Sequence, residues 1–260
     1  MEITHLFGLV GKTLSHSFSQ RYFTGKFEKE GLPSYAYRNF ELDSAEQVRP
    51  LVERYPNLCG LNVTIPYKKE VIPLLDALSE EAAEAGAVNV IAISRTDGGV
   101  FLKGYNTDTL GFDGALQVCL DSRDACFPQA GPAARALVLG TGGAAAAVQY
   151  VLRKRGMGVQ FVSRSDCADW TYQSLTAGAM ADFQVVVNAT PLGTWPAMEA
   201  CAPIPYEGIR PGTVCFDLVY NPPETAFMKR CARQQAVVSS GLAMLHGQAE
   251  AAWRIWNNLV

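Results

Sequence analysis

The stretch that decides the fold reads Ala136-Leu-Val-Leu-Gly140-Thr-Gly142-Gly143-Ala144-Ala145. A short apolar run is followed by a glycine-rich turn of the form G-x-G-x-x-A and then by residues that favour a helix. Between a strand and a helix, such a turn lets the backbone approach the pyrophosphate of a dinucleotide. The alternative is a tight turn that holds no ligand.

The residues around this turn complete a repeating strand–helix pattern. It predicts strands at 136–139, 159–162, 185–188 and 214–219, and helices at 144–154 and 225–234. Because alternating strands and helices build a parallel sheet, this pattern favours a Rossmann-type dinucleotide-binding domain.

The first hundred residues alternate in the same way. They predict strands at 6–10, 35–40, 61–65, 88–94 and 100–105, and helices at 19–30, 44–55 and 67–78. Asp97-Gly98-Gly99 predicts that the last two strands form an antiparallel hairpin. A helix at 107–120, a loop at 121–135 and an amphipathic helix at 245–258 follow. We therefore predict two α/β domains, residues 1–106 completed by 241–260, and residues 107–240.

The composition narrows the class of protein. A hydrophobic fraction of 48% and a charged fraction of 18% are typical of an ordered globular chain, and the net charge of −3 argues against a nucleic-acid partner. The seven cysteines form no C-x-x-C pair, and His5, His16 and His246 have no metal-ligand spacing, so no metal is expected. The sequence also lacks a signal peptide or membrane span, which predicts a cytoplasmic protein without a membrane partner.

The end of the second strand of the Rossmann pattern indicates which dinucleotide would bind. An NAD-specific unit usually carries an acidic residue there to hold the ribose 2′-hydroxyl. This chain has Ser163-Arg164-Ser165 instead, and an arginine fork beside hydroxyls suits a 2′-phosphate. A solvent-facing arginine is the alternative, and the nearby Asp166 has the wrong charge for a phosphate. We expect NADP rather than NAD.

Polar residues outside the glycine-rich turn are further candidates, each with an ordinary structural alternative. Lys68 and the carboxylate of Asp108 could together manage a proton, but singly they read as a solvated lysine and a helix N-terminal carboxylate. Ser17 and Ser19 alternate, so in an extended segment both hydroxyls would point toward one group such as a carboxylate. The alternative is that one of them caps the next helix.

Motifs along the whole chain together resemble the shikimate dehydrogenase family. They are Gly11-Lys-Thr-Leu-Ser-His-Ser17-Phe-Ser19, Gly60-Leu-Asn62-Val-Thr64-Ile-Pro-Tyr-Lys68, Gly86-Ala-Val-Asn89, Asn106-Thr-Asp108, Gly140-Thr-Gly-Gly-Ala, Asn188-Ala-Thr190-Pro, Asp217-Leu-Val-Tyr220-Asn-Pro and Gly241-Leu-Ala-Met-Leu-His-Gly-Gln248.

The resemblance implies an N-terminal α/β substrate domain that faces a Rossmann-type domain across a cleft. It implies that Lys68 and Asp108 are the catalytic pair. It assigns the substrate carboxylate to Ser17 and Ser19, and the ring and its hydroxyls to Thr64, Asn89, Tyr220 and Gln248. It assigns the cofactor to Gly140, Thr141, Gly142, Gly143, Ala144, Ser163, Arg164, Ser165, Thr190, Leu218 and Gly241.

The chain departs from the family pattern at a few positions. Gln20 and Phe23 stand where the family often has proline and histidine, and Ser163 stands where asparagine is usual. The second basic residue that often follows the arginine is missing around 167–170. The expected NADP preference therefore rests largely on Arg164.

The function implied by the resemblance is an NADP-dependent shikimate dehydrogenase, which reversibly reduces 3-dehydroshikimate to shikimate on the route to chorismate and the aromatic amino acids. An NAD-dependent quinate/shikimate dehydrogenase would share nearly every motif and is the rival activity. A catalytically silent regulator that binds shikimate or a nucleotide is the rival from another class, and the presence of Lys68 and Asp108 argues against it. The sequence is compatible with a monomer or a homodimer.

Overall fold

Two α/β units make up the computed structural model, which describes residues 2–14, 17–122, 134–165 and 168–257. The first unit contains residues 1–107 and 249–260, and the second contains Asp108–Gln248. The C-terminal helix is thus divided between the units at residue 249. Most of the predicted loop at 121–135 lies outside the described residues, as do His16 and Asp166.

The first unit is built around one mixed sheet. Its strands are β1 (His5–Gly11), β2 (Tyr35–Glu41), β3 (Leu58–Val63), β4 (Ala77–Leu78), β5 (Val90–Thr96) and β6 (Gly99–Tyr105), and its helices are α1 (Phe18–Lys29), α2 (Val48–Arg54) and α3 (Glu80–Ala85). The sheet order is β2-β1-β3-β5-β6-β4, with β1 parallel to β2 and β3, and β5 antiparallel to β3 and β6. The predicted hairpin is confirmed, and a 3₁₀ turn at Ala45–Gln47 precedes α2 where one longer helix was expected.

Apolar side chains are buried on both faces of this sheet, because successive strand residues point to opposite faces. One face buries Leu6, Val10, Leu61, Val63 and Val71, and the other buries Phe7, Leu9, Phe23, Phe27, Ala252 and Ile255. The indole nitrogen of Trp256 donates to the carbonyl of Ile91 at 3.1 Å. The C-terminal end of the last helix therefore completes the core of the first unit.

The predicted helix at 67–78 is wrong. Tyr67 and Val71 are buried one turn apart, but the segment continues as turns with a 3₁₀ turn at Ile72–Leu74. Pro73 lacks a backbone donor and disfavours the α conformation of the residue before it, which explains the loss of helix. Lys68 consequently lies in a turn after β3.

The second unit has a fully parallel sheet. Its strands are β7 (Arg135–Leu139), β8 (Gly158–Ser163), β9 (Trp170–Thr171), β10 (Val185–Asn188), β11 (Val214–Asp217) and β12 (Val237–Ser239). Its helices are α4 (Thr107–Asp121), α5 (Gly143–Lys154), α6 (Ala177–Met180), α7 (Ala226–Ala232) and α8 (Leu242–Trp256). Thr107 of α4 and the end of α8 belong to the first unit. The sheet order is β12-β11-β10-β7-β8-β9. This arrangement confirms the predicted Rossmann-type domain.

The central strands β7, β10 and β11 of this sheet are buried because helices cover both faces, as parallel sheets require. Phe112, Leu116, Val148 and Leu152 cover one face, whereas Phe227 and other apolar residues cover the other. Within the described ranges, no helix is long and apolar enough to cross a membrane. The same ranges contain no cluster of His, Cys, Asp and Glu suited to a metal ion.

Candidate active site

The glycine-rich turn follows β7 at the carboxyl edge of the second sheet. Gly140 has φ +98°, and a Cβ there would lie 2.9 Å from Cγ2 of Thr190, so a side chain would be strained. Gly142 caps α5 with an ordinary φ of −74°, no side chain caps the helix, and a Cβ would meet no heavy atom within 4 Å. Backbone donors at the start of α5 thus border open space, which fits an anionic pyrophosphate.

The segment after β8 carries the candidate 2′-phosphate residues. The hydroxyl of Ser163 accepts from the backbone N–H of Ser165 at 2.9 Å, and the two hydroxyl oxygens lie 2.8 Å apart. This local turn leaves Arg164 exposed at the strand end, beside the strand that precedes the glycine-rich turn. The cation therefore stands where an NAD-specific unit would place a carboxylate.

Asn89 hydrogen-bonds two segments of the first unit, one that leads to Thr64 and one that starts at Thr107, and we call this group the polar centre. Its side-chain oxygen accepts from the backbone N–H of Thr107 at 2.7 Å, and its amide nitrogen lies 3.0 Å from the Thr107 hydroxyl. Its backbone carbonyl accepts from Val63 at 2.8 Å, one residue before Thr64. Thr107 begins α4 and directly precedes the buried Asp108. Asn89 thereby joins the segment that carries Thr64 to the helix start.

Lys68 is fixed to the same centre through its backbone. Its carbonyl accepts from the backbone N–H of Val88 at 2.7 Å, next to Asn89, and its side chain is half-buried. The turn from Thr64 to Lys68 starts with a bond from Tyr67 N–H to the Thr64 carbonyl at 3.0 Å. Backbone hydrogen bonds therefore join the segments that carry Thr64, Lys68 and Asn89 within the first unit.

The segment with Ser17 and Ser19 is not extended, so the alternation that would aim both hydroxyls at one group does not apply. Ser17 is the N-cap of α1, and its hydroxyl accepts from the backbone N–H of Ser19 at 3.2 Å. Ser19 lies in the first turn and hydrogen-bonds Tyr37. Both hydroxyls border the N-terminus of α1, where the helix dipole favours a carboxylate.

The sequence did not reveal a buried chain of hydrogen bonds that runs from Ser19 through Tyr37 to Asn62. The phenol of Tyr37 donates to the side-chain oxygen of Asn62 at 2.6 Å, and the Asn62 amide nitrogen lies 3.5 Å from the backbone carbonyl of Asn89. Burial raises the pKa of Tyr37 well above its usual range, and the bond with Ser19 opposes this shift only partly. The neutral phenol therefore stays a hydrogen-bond donor. The motif around Asn62 was visible, but nothing in the sequence pointed to Tyr37.

The remaining candidates belong to the second unit. Tyr220 is exposed, and burial of part of its ring raises its pKa. The Gln248 amide donates to the carbonyl of Leu245 at 3.0 Å, one turn earlier in α8. Gly241 lies against the backbone of Leu218, where a Cβ would come within 2.1 Å of the carbonyl oxygen. Gly241 thus has a packing reason of its own to lack a side chain.

A second set of hydrogen-bonded side chains that the sequence did not reveal lies where the segments that carry Thr190 and Leu218 begin. The buried side chains of Asn188, Asp217 and Thr225 are joined by hydrogen bonds at the ends of β10 and β11. Asn188 and Asp217 occur in motifs that resemble the family, but no role could be assigned to them from those motifs.

Comparison with known proteins identifies the family. The profile of the shikimate dehydrogenase substrate binding domain matches residues 9–91. A shikimate dehydrogenase (NADP(+)) of Moorella thermoacetica is 34% identical in an alignment 273 positions long, which covers 97% of this chain and 88% of the relative. The chain belongs to the shikimate dehydrogenase family. The resemblance inferred from the motifs is thereby confirmed.

Solved structures of this family share the fold at full length. Shikimate 5-dehydrogenase from Thermus thermophilus, in complex with NADP(H) and shikimate, is 30% identical with a TM-score of 0.79, covering 98% of this chain and 94% of that one. Quinate dehydrogenase from Corynebacterium glutamicum, in complex with NAD, is 26% identical with a TM-score of 0.82 and the same coverage. The similar structures thus include both cofactors.

Proposed function

We propose that this protein is an NADP-dependent shikimate dehydrogenase that reversibly reduces 3-dehydroshikimate to shikimate, on the route to chorismate and the aromatic amino acids. Full-length similarity to NADP-dependent shikimate dehydrogenases carries the proposal. The open glycine-rich turn, with Arg164 at the end of β8, supports the choice of cofactor. The proposed setting is the cytoplasm, with the protein as a monomer or a homodimer.

The residues of the second unit fit NADP. The backbone of the turn from Gly140 to Ala144, which includes Thr141, would hold the pyrophosphate, and Ser163, Arg164 and Ser165 would hold the 2′-phosphate. Thr190, Leu218 and Gly241 are assigned to the nicotinamide half. When bound, NADPH would supply the hydride that reduces the ketone carbon.

We assign the substrate to the polar groups that the family resemblance implies. The carboxylate would bind at the N-terminus of α1, where Ser17 and Ser19 add hydroxyl donors. Thr64 and Asn89 would bind ring hydroxyls from the first unit. Tyr220 and Gln248 are assigned to the ring and its hydroxyls by the same resemblance.

Lys68 is assigned the proton of the reaction. As the ketone is reduced, its oxygen gains negative charge, and an ammonium can stabilise that charge and donate a proton to it. Asp108 would orient the ammonium and accept a hydrogen bond from the neighbouring substrate hydroxyl.

A two-by-two kinetic assay of the purified protein tests the function. 3-Dehydroshikimate and 3-dehydroquinate are each assayed with NADPH and with NADH, and we expect the highest kcat/KM for 3-dehydroshikimate with NADPH. The rival quinate activity has specific support, because the NAD-bound quinate dehydrogenase shares the fold and this chain lacks a second basic residue near 167–170. Preference for 3-dehydroquinate and NADH would establish that rival. Binding without turnover would establish the silent regulator.

A further inference from the structure

The carboxylate of Asp217, the last residue of β11, is fully buried and bonded only to donors. Its Oδ1 accepts from the side-chain nitrogen of Asn188 at 2.9 Å and from the backbone N–H of Val219 at 3.0 Å. Its Oδ2 accepts from the hydroxyl of Thr225 at 2.5 Å. Burial raises the pKa of Asp217, and these three hydrogen bonds oppose that shift. Among the described residues Asp217 has no salt bridge. Burying a carboxylate without a cationic partner costs free energy, so stability alone does not explain why an aspartate lies here.

Asn188 extends this group into the segment after β10. Its Oδ1 accepts from the hydroxyl of Thr190 at 2.6 Å and from the Thr190 backbone N–H at 3.2 Å. The Thr190 hydroxyl in turn accepts from the backbone N–H of Leu192 at 3.3 Å. The amide nitrogen of Asn188 donates to Asp217 and its amide oxygen accepts from Thr190, so both ends of this side chain are hydrogen-bonded. One carboxylate thereby connects the segments after β10 and after β11.

One backbone bond joins the same two segments, and a second joins the segment after β11 to Gly241. The N–H of Trp195 donates to the carbonyl of Asn221 at 3.2 Å, and the N–H of Gly241 donates to the carbonyl of Val219 at 3.1 Å. We call residues 189–195 and 218–221 the paired loops. The hydrogen bond between them fixes the position of one loop relative to the other. Asp217 lies at their base.

The strand order places the paired loops opposite the adenosine side of the cofactor site. The glycine-rich turn follows the central strand β7, and Arg164 follows β8 on one side of it. The paired loops follow β10 and β11 on the other side. A dinucleotide lies across the carboxyl ends of the strands, so a 2′-phosphate at Arg164 directs its other half toward the paired loops.

We propose that Asp217 is a positioning residue for the nicotinamide half of the cofactor, acting through Asn188 and Thr225 to hold the paired loops. This inference rests on the proposed function, because it takes the cofactor to be a nicotinamide dinucleotide. A positioning residue of this kind should affect the intact dinucleotide and leave its adenosine half unaffected.

The test compares two ligands in Thr225→Val and Thr225→Ser. Valine has nearly the shape of threonine but lacks the donor to Asp217, whereas serine retains the hydroxyl. We expect Thr225→Val to raise the dissociation constant of NADPH about tenfold or more. Adenosine 2′,5′-bisphosphate, which lacks the nicotinamide half, should bind within about twofold of the parent value. Thr225→Ser should restore most of the NADPH affinity.

Thr225 also caps α7, so a cap control is needed. Thr176 caps α6 in the same way and lies on the surface, so Thr176→Val removes a cap without removing a bond to Asp217. We expect this control to bind both ligands as the parent does. If Thr225→Val fails to fold, Asp217→Asn replaces it; this change retains an acceptor for Asn188 and should lower NADPH affinity with little effect on the bisphosphate.

The outcomes separate this inference from the proposed function. Unchanged NADPH binding in Thr225→Val, or in Asp217→Asn if that variant replaces it, would overturn the positioning role while leaving the enzyme assay intact. Equal losses for NADPH and the bisphosphate would also overturn it, because the effect would then be general to the unit. Failure of the parent to reduce 3-dehydroshikimate would instead refute the proposed function, while the comparison of the two ligands could still be made.

Discussion

Gly142→Ala should separate the stability of the fold from the binding of the cofactor. Gly142 caps α5 with φ −74° and ψ −176°, which any residue adopts, and the added methyl group would meet no heavy atom of the protein within 4 Å. No packing within the described residues therefore requires glycine here. We infer that the requirement for glycine at this position comes from the pyrophosphate.

Opposite effects on stability nearly cancel, whereas the effect on binding does not. Alanine restricts the unfolded chain, which stabilises by about 0.4–1 kcal/mol, but it is a poorer N-cap than glycine by a similar amount. The free energy of unfolding should therefore change by less than about 1 kcal/mol. Loss of one charge-assisted bond to the pyrophosphate costs about 1.5–3 kcal/mol, which is about 10- to 150-fold in the NADPH dissociation constant.

Gly114→Ala is the matched control. Gly114 lies on the exposed side of α4, and a methyl group there also meets nothing within 4 Å. Fluorescence titration with NADPH and chemical denaturation are run on both variants. We expect Gly114→Ala to stabilise by about 0.5–1 kcal/mol with unchanged affinity. An NADPH dissociation constant within about twofold of the parent in Gly142→Ala would refute the inferred approach of the backbone to the pyrophosphate.

Three further changes test other parts of the site. Lys68→Ala should fold and bind shikimate but lose roughly 10²–10⁴ in kcat, because the proton donor is removed; steady-state kinetics would measure this loss. Arg164→Ala should weaken NADPH about 10- to 100-fold and NADH little, measured by titration, because only NADPH has the 2′-phosphate. For Glu250, burial raises the pKa, but hydrogen bonds from Tyr22 and Lys26 outweigh this and lower it below the usual 4.5. Its stabilisation is present above that pH and lost as pH falls through the lowered pKa, so Glu250→Gln should destabilise at neutral pH and progressively less as the pH falls below 4.5, measured by denaturation.

Each of these predictions has a result that would contradict it. A kcat within about fivefold of the parent in Lys68→Ala would remove the proton role from this residue. Equal losses of NADPH and NADH in Arg164→Ala would mean that the side chain supports the loop or the adenine. A stability difference between the parent and Glu250→Gln that stays constant with pH would show that the carboxylate is not held by its donors in solution.

The sequence alone determined the class of fold and the position of the glycine-rich turn. The strand at Ala136–Leu139, the glycines after it and the helix that follows are local features, so they are legible without knowledge of distant residues. The charge of Arg164 is equally local, because its position follows from where β8 ends. Family membership could be inferred for the same reason, since the motifs are short and occur in order along the whole chain.

Only the tertiary structure decided which hydrogen-bond partners and which local conformation the polar residues have. The segment from Tyr67 has helical spacing, yet Pro73 and the burial of its apolar side chains make it a turn, which changes the setting of Lys68. The roles of Tyr37 and Asp217 depend on partners that are distant in the chain, 25 residues away at Asn62 and 29 at Asn188. A buried polar group is explained by the donors and acceptors around it, and those are brought together only when the sheets assemble.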